Sequence, residues 1–263
     1  MPGELKGYEN EIFNFNKSLD GIELNENKQM ELLNAIKSFY SELPFTYDKV
    51  PERRYYYNND YFSYNSAIEL FGIIRHYKPN RIIEIGSGFS SSLMLDTNDL
   101  FMNGSMACTF IDPYPERLIS LLNERDKIRH HIYAKKIQDI DLNIFSELKE
   151  NDILFIDSSH VSKTGSDLNK IIFEILPVLS KGVIIHFHDV FYPFEYPANW
   201  VLSPGGFGWN ENYILRAFLM YNSNFEILLF NSYMETKFKE WFEHNMPDCL
   251  KRQGGSLFLK KST

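Results

Sequence analysis

Between Arg81 and Asp189 five short apolar runs alternate with stretches of helical periodicity, and this alternation constrains the fold more than any other feature of the chain. The runs are Arg81 to Ile85, Ala107 to Asp112, His131 to Lys135, Ile153 to Asp157 and Val183 to His188. Between them, Ser91 to Phe101, Pro115 to Asn123, Leu142 to Leu148 and Ser166 to Leu179 carry apolar residues at helical spacing. Strands apolar on both faces, each leading into a helix, predict an α/β fold with a parallel sheet covered on both sides.

The flanks follow a looser rhythm. Asn27 to Leu43 predicts a helix that Pro44 ends, and Ser66-Ala67-Ile68-Glu69 has the pattern of a capping box opening a second helix, stopped by Lys78-Pro79-Asn80. The aromatic stretch Arg53 to Tyr61 is either a packed crossing segment or the rim of a binding site. After the fifth run, Phe191 to Phe207 is rich in proline and aromatic residues and long for a simple connection. A helix from about Asn210 to Tyr221, a strand Phe225 to Phe230, a helix Glu235 to Phe242 and a strand Ser256 to Lys260 close the chain. The expected division is an N-terminal helical and aromatic extension over residues 1–62 and a main domain over residues 63–263.

At 263 residues, 44% of them hydrophobic, the chain can bury one large core. Its formal net charge of -8 argues against nucleic acid or an anionic membrane as partner. Cys108 and Cys249, far apart, form no disulfide framework or cysteine metal site. No segment has the apolar length of a secretory signal or of a membrane span of roughly 20 residues. A cytoplasmic protein acting on a small molecule is the expectation. The first 62 residues would cap the acceptor site or form a contact in a homo-oligomer.

The sharpest motif is the passage from the first strand into its helix, Glu84-Ile85-Gly86-Ser87-Gly88-Phe89-Ser90-Ser91. Glycines let a ligand approach the backbone, and a helix N-terminus favours a carboxylate or phosphate. A dinucleotide fingerprint would have a third glycine where Ser91 stands, and the acidic Glu84 would repel a pyrophosphate. Glu84 suits instead a ligand with an ammonium group. Asp112, at the end of the second strand, is placed to accept from ribose hydroxyls, and Asp139, after the third, from an adenine amino group. Ligands of such sheets sit at the carboxyl ends of the strands.

Ionisable residues also end the fourth strand, Asp157-Ser158-Ser159-His160, and the fifth, His186-Phe187-His188-Asp189. Adjacent strands lie about 4.8 Å apart, so these groups can converge on one ion. Asp157, His188 and Asp189 are the expected metal ligands, and His160 the expected general base. The structural alternatives are a helix cap for Asp157, a loop tie for Asp189 and a core role for one histidine. His186, His188 and Asp157 also form a possible facial triad, which would make the chain a non-haem iron oxygenase.

On Glu84-x-Gly86-x-Gly88 and Asp112 the sequence resembles class I S-adenosylmethionine-dependent methyltransferases. The resemblance implies a Rossmann-like sheet of seven strands, mostly parallel, with the last antiparallel and helices on both faces. It implies S-adenosylmethionine as cofactor, held by Glu84, Gly86, Ser87, Gly88, Ser90, Ser91, Asp112, Asp139 and Asp157. Asp157-Ser158-Ser159-His160 with His188-Asp189 resembles the metal-dependent O-methyltransferases of the catechol and macrolide-sugar types. That likeness implies methyl transfer to a hydroxyl of a sugar or other natural product, with Mg²⁺ or Mn²⁺ and with His160 as base. His188 departs from it, since an acid is usual there. A protein that binds the cofactor without catalysis is the remaining alternative.

Overall fold

The computed structural model describes residues 2–263. In chain order the main elements are α1 (Glu26–Ile36), α2 (Tyr64–Tyr77), β1 (Arg81–Ile85), α3 (Phe89–Phe101), β2 (Ala107–Ile111), α4 (Glu116–Leu121), α5 (Glu124–Arg129), β3 (His131–Tyr133) and β4 (Ile153–Ile156). They continue with α6 (Asp167–Lys170), β5 (Ile184–His188), α7 (Glu211–Leu219), β6 (Phe225–Phe230), α8 (Asn231–Lys237), α9 (Lys239–Asn245) and β7 (Ser256–Lys261). The seven strands form one sheet in the order β3-β2-β1-β4-β5-β7-β6. The first five are parallel and β7 runs antiparallel between β5 and β6. This is the Rossmann-like arrangement that the resemblance implied, with helices ahead of it.

Every residue of β4 and β5 is buried, as the unbroken apolar runs require of parallel strands covered on both faces. The strand order reverses between β1 and β4, so the helices that follow them leave a crevice at their carboxyl ends. Among the described residues, no helix is long and apolar enough to cross a membrane.

Three local expectations are corrected. The predicted capping box fails: α2 already begins at Tyr64, and Glu69 is fully buried with neither oxygen hydrogen-bonded. The helix before β5 is not uniform, because α6 widens into a π-helical turn at Ile171–Ile175 and ends with Leu176–Val178. Lys261 Nζ closes that end, donating to the carbonyls of Leu176 (3.1 Å) and Pro177 (2.9 Å) that lack intrahelical partners. The helix expected from Glu235 to Phe242 is two helices, broken at Phe238.

The N-terminal residues are tied to the sheet by side chains. Gln29, fully buried, accepts from the Phe230 N–H at 2.7 Å. Of the aromatic stretch, Tyr55 is wholly buried and donates its hydroxyl to the Phe62 carbonyl at 2.8 Å, whereas Tyr61 is exposed. Tyr55 therefore fits the reading of a packed crossing segment.

Candidate active site

The glycine turn after β1 is shaped by its neighbours. Gly86 has φ +78°, and a Cβ there would lie 2.0 Å from the carbonyl oxygen of Asp157. Glycine is thus required where β1 passes the end of β4. Glu84 is fully buried and accepts from the hydroxyls of Ser90 and Ser91, while Ser91 Oγ accepts from the Gly88 N–H at 2.9 Å. Burial pushes the Glu84 carboxyl up to about 8, against the pull of the two serine hydroxyls. The serines therefore serve Glu84 and the start of α3.

A cleft of about 610 Å³ opens at the carboxyl ends of β1, β2 and β4, with Gly86, Asp112, Gln138, Asp157 and Ser158 among its walls. Asp112 accepts from the backbone N–H and hydroxyl of Ser87 (2.9 and 3.2 Å) and from the Tyr114 N–H (2.8 Å), which fixes its carboxylate. Glu84, Ser87, Gly88, Ser90 and Ser91 do not line the cleft. Asp139 is exposed outside it, and its neighbour Gln138 takes the wall position. Of the four acids expected to hold the cofactor, Asp112 and Asp157 line the cleft, and Glu84 and Asp139 do not.

The densest chemistry lies beside this cleft. His160 Nδ1 is 2.6 Å from Glu211 Oε2, and its Nε2 is 3.2 Å from Asp157 Oδ1 and 3.8 Å from Asp189 Oδ2. His160 and Glu211 are buried, Asp157 is partly exposed, and the Trp209 ring covers the imidazole at 4.3 Å. His160 and Asp189 both adopt left-handed backbone, each with φ +58°, a conformation that persists in non-glycine residues only when surroundings enforce it.

The first turn of α7 supplies that enforcement. The His160 carbonyl accepts from the N–H groups of Asn210 (3.0 Å) and Glu211 (3.2 Å). Asn212, fully buried, donates to the Asp189 carbonyl at 3.1 Å and accepts from the Phe191 N–H at 3.0 Å. Burial by itself would lower the His160 pKa, but hydrogen bonds to Asp157 and Glu211 hold it well above the ordinary value. Burial raises Asp189 and Glu211, whereas the His160 hydrogen bond and nearby histidines overcome burial at Asp157 and hold it low. The imidazole thus stands among three acids, two of which favour its protonated form through hydrogen bonds.

His186 and His188 behave differently from His160. His186 is fully buried, stacked on Phe155 at 4.0 Å and tilted on Phe258 at 4.6 Å, with both ring nitrogens unpartnered among the described residues. Burial holds it neutral, well below its ordinary pKa. It is a core residue, so the facial triad of His186, His188 and Asp157 does not form. The ligand atoms that lie within 4.8 Å of one another belong to Asp157, His160 and Asp189. His188 stands behind them, its Nε2 3.6 Å from Asp189 Oδ1.

Residues 83–190, which run from within β1 to just past β5 and include both acid-bearing strand ends, match the family described as Methyltransferase domain (Methyltransf_24). An uncharacterised protein of Archaeoglobus fulgidus is 37% identical over 156 residues, covering 56% of this chain and 68% of that protein. Residues 83–190 are thus similar to a methyltransferase domain, in keeping with the resemblance that the first strand and its glycine turn carry. Solved structures similar to this chain include the O-methyltransferase TomG from Streptomyces achromogenes, in complex with S-adenosylmethionine, at 14% identity, 99% and 96% coverage and a TM-score of 0.48. Another is the methyltransferase PaMTH1 of Podospora anserina, bound to S-adenosylhomocysteine, at 16% identity, 88% coverage of each chain and a TM-score of 0.47.

Two parts of this site are not evident from the sequence. The aromatic stretch after β5 is mostly core: Phe191, Tyr192, Phe194 and Tyr196 are buried, leaving Trp200, Phe207 and Trp209 as a cluster over His160. Gly206 packs against the carbonyls of Trp200 and Val201, where a Cβ would come within 2.6 Å, so it is a packing glycine. Glu211 lies at the start of the helix expected from about Asn210, and nothing in the sequence links it to His160. Its bond to His160 spans 51 residues, and the only local signal is an acid opening a helix directly after an aromatic run.

Proposed function

We propose that this protein transfers a methyl group from S-adenosylmethionine to a hydroxyl of a small polar acceptor, at the junction of Asp157, His160 and Asp189. The carrying observation is His160 itself, buried, held in left-handed backbone and suspended between Glu211 and the two acids. Such an arrangement exceeds what a mere binding scaffold needs. S-adenosylmethionine supplies an electrophilic methyl on a sulfonium, so the protein need only align an oxygen and remove its proton.

The donor set fits that cofactor. Asp112 faces the cleft with a fixed carboxylate suited to ribose hydroxyls, Gly86 leaves the wall bare, and the Gln138 side chain stands where a base edge can be met. Glu84, Ser87, Gly88, Ser90 and Ser91 act from behind, keeping the turn and Asp112 in shape. In its neutral form, with Nδ1–H donated to Glu211, His160 takes the proton of the acceptor hydroxyl on Nε2, and Glu211 with the two nearby acids stabilises the imidazolium that forms. The buried free thiols Cys108 and Cys249 suit a reducing compartment, in keeping with a cytoplasmic enzyme.

A second reading rests on the convergence of Asp157, His160 and Asp189 within 4.8 Å. Two carboxylates and one imidazole suit Mn²⁺ or Mg²⁺, and Glu211 would be the carboxylate that orients a ligating histidine. Such an ion would lower the pKa of a hydroxyl bound to it. His160 would then be a ligand, with His188 outside the ligand set.

Calorimetry with S-adenosylhomocysteine tests the cofactor assignment. We expect binding by the wild type, at least tenfold weaker binding by Asp112→Ala and unchanged binding by Asp139→Ala, about the effect of losing charged hydrogen bonds. Equal affinity in Asp112→Ala would remove the cofactor from this cleft. Titration of the loaded protein with Mn²⁺ tests the second reading, which needs a site that Asp189→Asn abolishes.

A further inference from the structure

A second pocket, of about 240 Å³, opens on Asp189 and shares no residue with the cofactor cleft. Its walls include Tyr61, His188, Trp200, Arg252 and Gln253. We propose that this pocket holds the methyl acceptor, and that the acceptor is a single polar ring bearing a carboxylate or phosphate that Arg252 binds. The proposal rests on the methyl-transfer reading above and adds to it the class of substrate.

Position comes first. Asp189 belongs both to this pocket and to the group around His160, so a hydroxyl seated against it lies next to the imidazole. Size comes second: the volume falls below the roughly 300–1,000 Å³ of drug-sized sites, which suits one ring and excludes a long chain. Trp200 and Tyr61, whose ring carries the Arg117 guanidinium at 3.7 Å, line the walls with the amides of Asn199 and Gln253, a mixture of aromatic and hydrogen-bonding groups suited to a polyhydroxylated ring.

Charge decides the substituent. Arg252 donates to the carbonyls of Asn59 (3.0 Å) and Asp60 (2.6 Å), which anchor its guanidinium. Among the described residues no carboxylate lies within 4.0 Å of it. A guanidinium has five N–H donors in a planar fork, so Arg252 keeps donors for a ligand. The pocket therefore has an acidic pole beside His160 and a cationic pole without a counter-charge. A ring with a hydroxyl toward the first and an anion toward the second satisfies both.

The test is calorimetric titration of the full chain, loaded with S-adenosylhomocysteine, with glucuronate, galacturonate, glucose 6-phosphate, glucose and galactose. We expect at least one anionic ring to bind about tenfold or more tightly than its neutral counterpart. Arg252→Gln should abolish that preference and leave S-adenosylhomocysteine affinity unchanged. Arg252→Lys, which keeps the charge without the fork, should retain part of the preference and shows that a loss in Arg252→Gln is not one of folding. A lead of phosphate over carboxylate, or the reverse, identifies which anion the site takes. No preference in the wild type, or a preference that survives Arg252→Gln, overturns the proposal. Failure of the wild type to bind S-adenosylhomocysteine at all overturns the cofactor reading instead.

Discussion

Burial of Glu84 favours its protonated form, against the two serine hydroxyls that donate to it. Its carboxyl, pushed up to about 8 by burial, holds a proton in the folded chain over a pH range where the unfolded chain has lost it. The folded state then binds more protons than the unfolded one, so this residue's contribution is greatest at low pH and declines as pH rises toward about 8. An ion-paired carboxylate does the opposite. Glu84→Gln keeps the shape and removes the titration, although it disturbs the hydrogen bonds of Ser90 and Ser91 and costs stability at every pH. What should change is the slope: relative to wild type, the variant should gain on the order of a few kcal/mol between about pH 5 and about pH 8. Urea denaturation at the two pH values measures it. A wild-type-to-variant difference independent of pH would mean that Glu84 is ionised throughout.

At the scale of elements, the turn from β1 into α3 joins two strand ends, because Gly86 lies against the carbonyl of Asp157. Gly86→Ala must place a side chain at φ +78° and also displace the end of β4, whereas Gly205→Ala meets only the backbone cost, with nothing within 4 Å of its Cβ. Thermal melts should therefore show a loss above the roughly 1–3 kcal/mol of strained backbone for the first variant and within it for the second. Equal losses would mean that the β4 contact yields freely. The same elements show what was legible in the sequence. Apolar runs with fixed exits placed β1 and β6 to the residue and β2, β4, β5 and β7 to within one, because burial on two faces admits few alternatives. Asp112, Asp157, His160 and Asp189 were legible because a strand end dictates where they emerge. The inward turn of Glu84, the exposure of Asp139 and the Glu211–His160 bond were not. Side-chain direction at a turn, and a partner 51 residues away, are decided by packing between elements and leave no period in the sequence.

Over the whole molecule, one cation ties the N-terminal residues to the helices that flank the sheet. Arg54 donates to Asp126 through Nε and Nη2 (2.7 and 2.6 Å), to Asp96 through Nη1 (2.7 Å) and to Asp99 through Nη2 (2.8 Å). Asp96 and Asp126 are buried on α3 and α5, and Asp96 also receives the N–H groups of Arg54 and Tyr55 at 2.9 Å. Removing the guanidinium leaves two buried carboxylates without a cation, a loss of about 3–5 kcal/mol for Arg54→Ala. Arg54→Lys should recover only part of it, since a point charge cannot serve three acids in a plane. The consequence should reach the active site along one route. The segment that Arg54 anchors continues to Tyr61 and Phe62; Tyr61 lines the Asp189 pocket, and Phe62 packs on Phe155 and on His188 at 5.1 Å. The cofactor cleft, by contrast, takes no wall residue from before Ile85. At a temperature where Arg54→Ala is still folded, binding of an acceptor should therefore weaken more than binding of S-adenosylhomocysteine. Equal weakening of both would mean that the N-terminal segment supports the sheet as a whole and has no separate part in shaping the acceptor side.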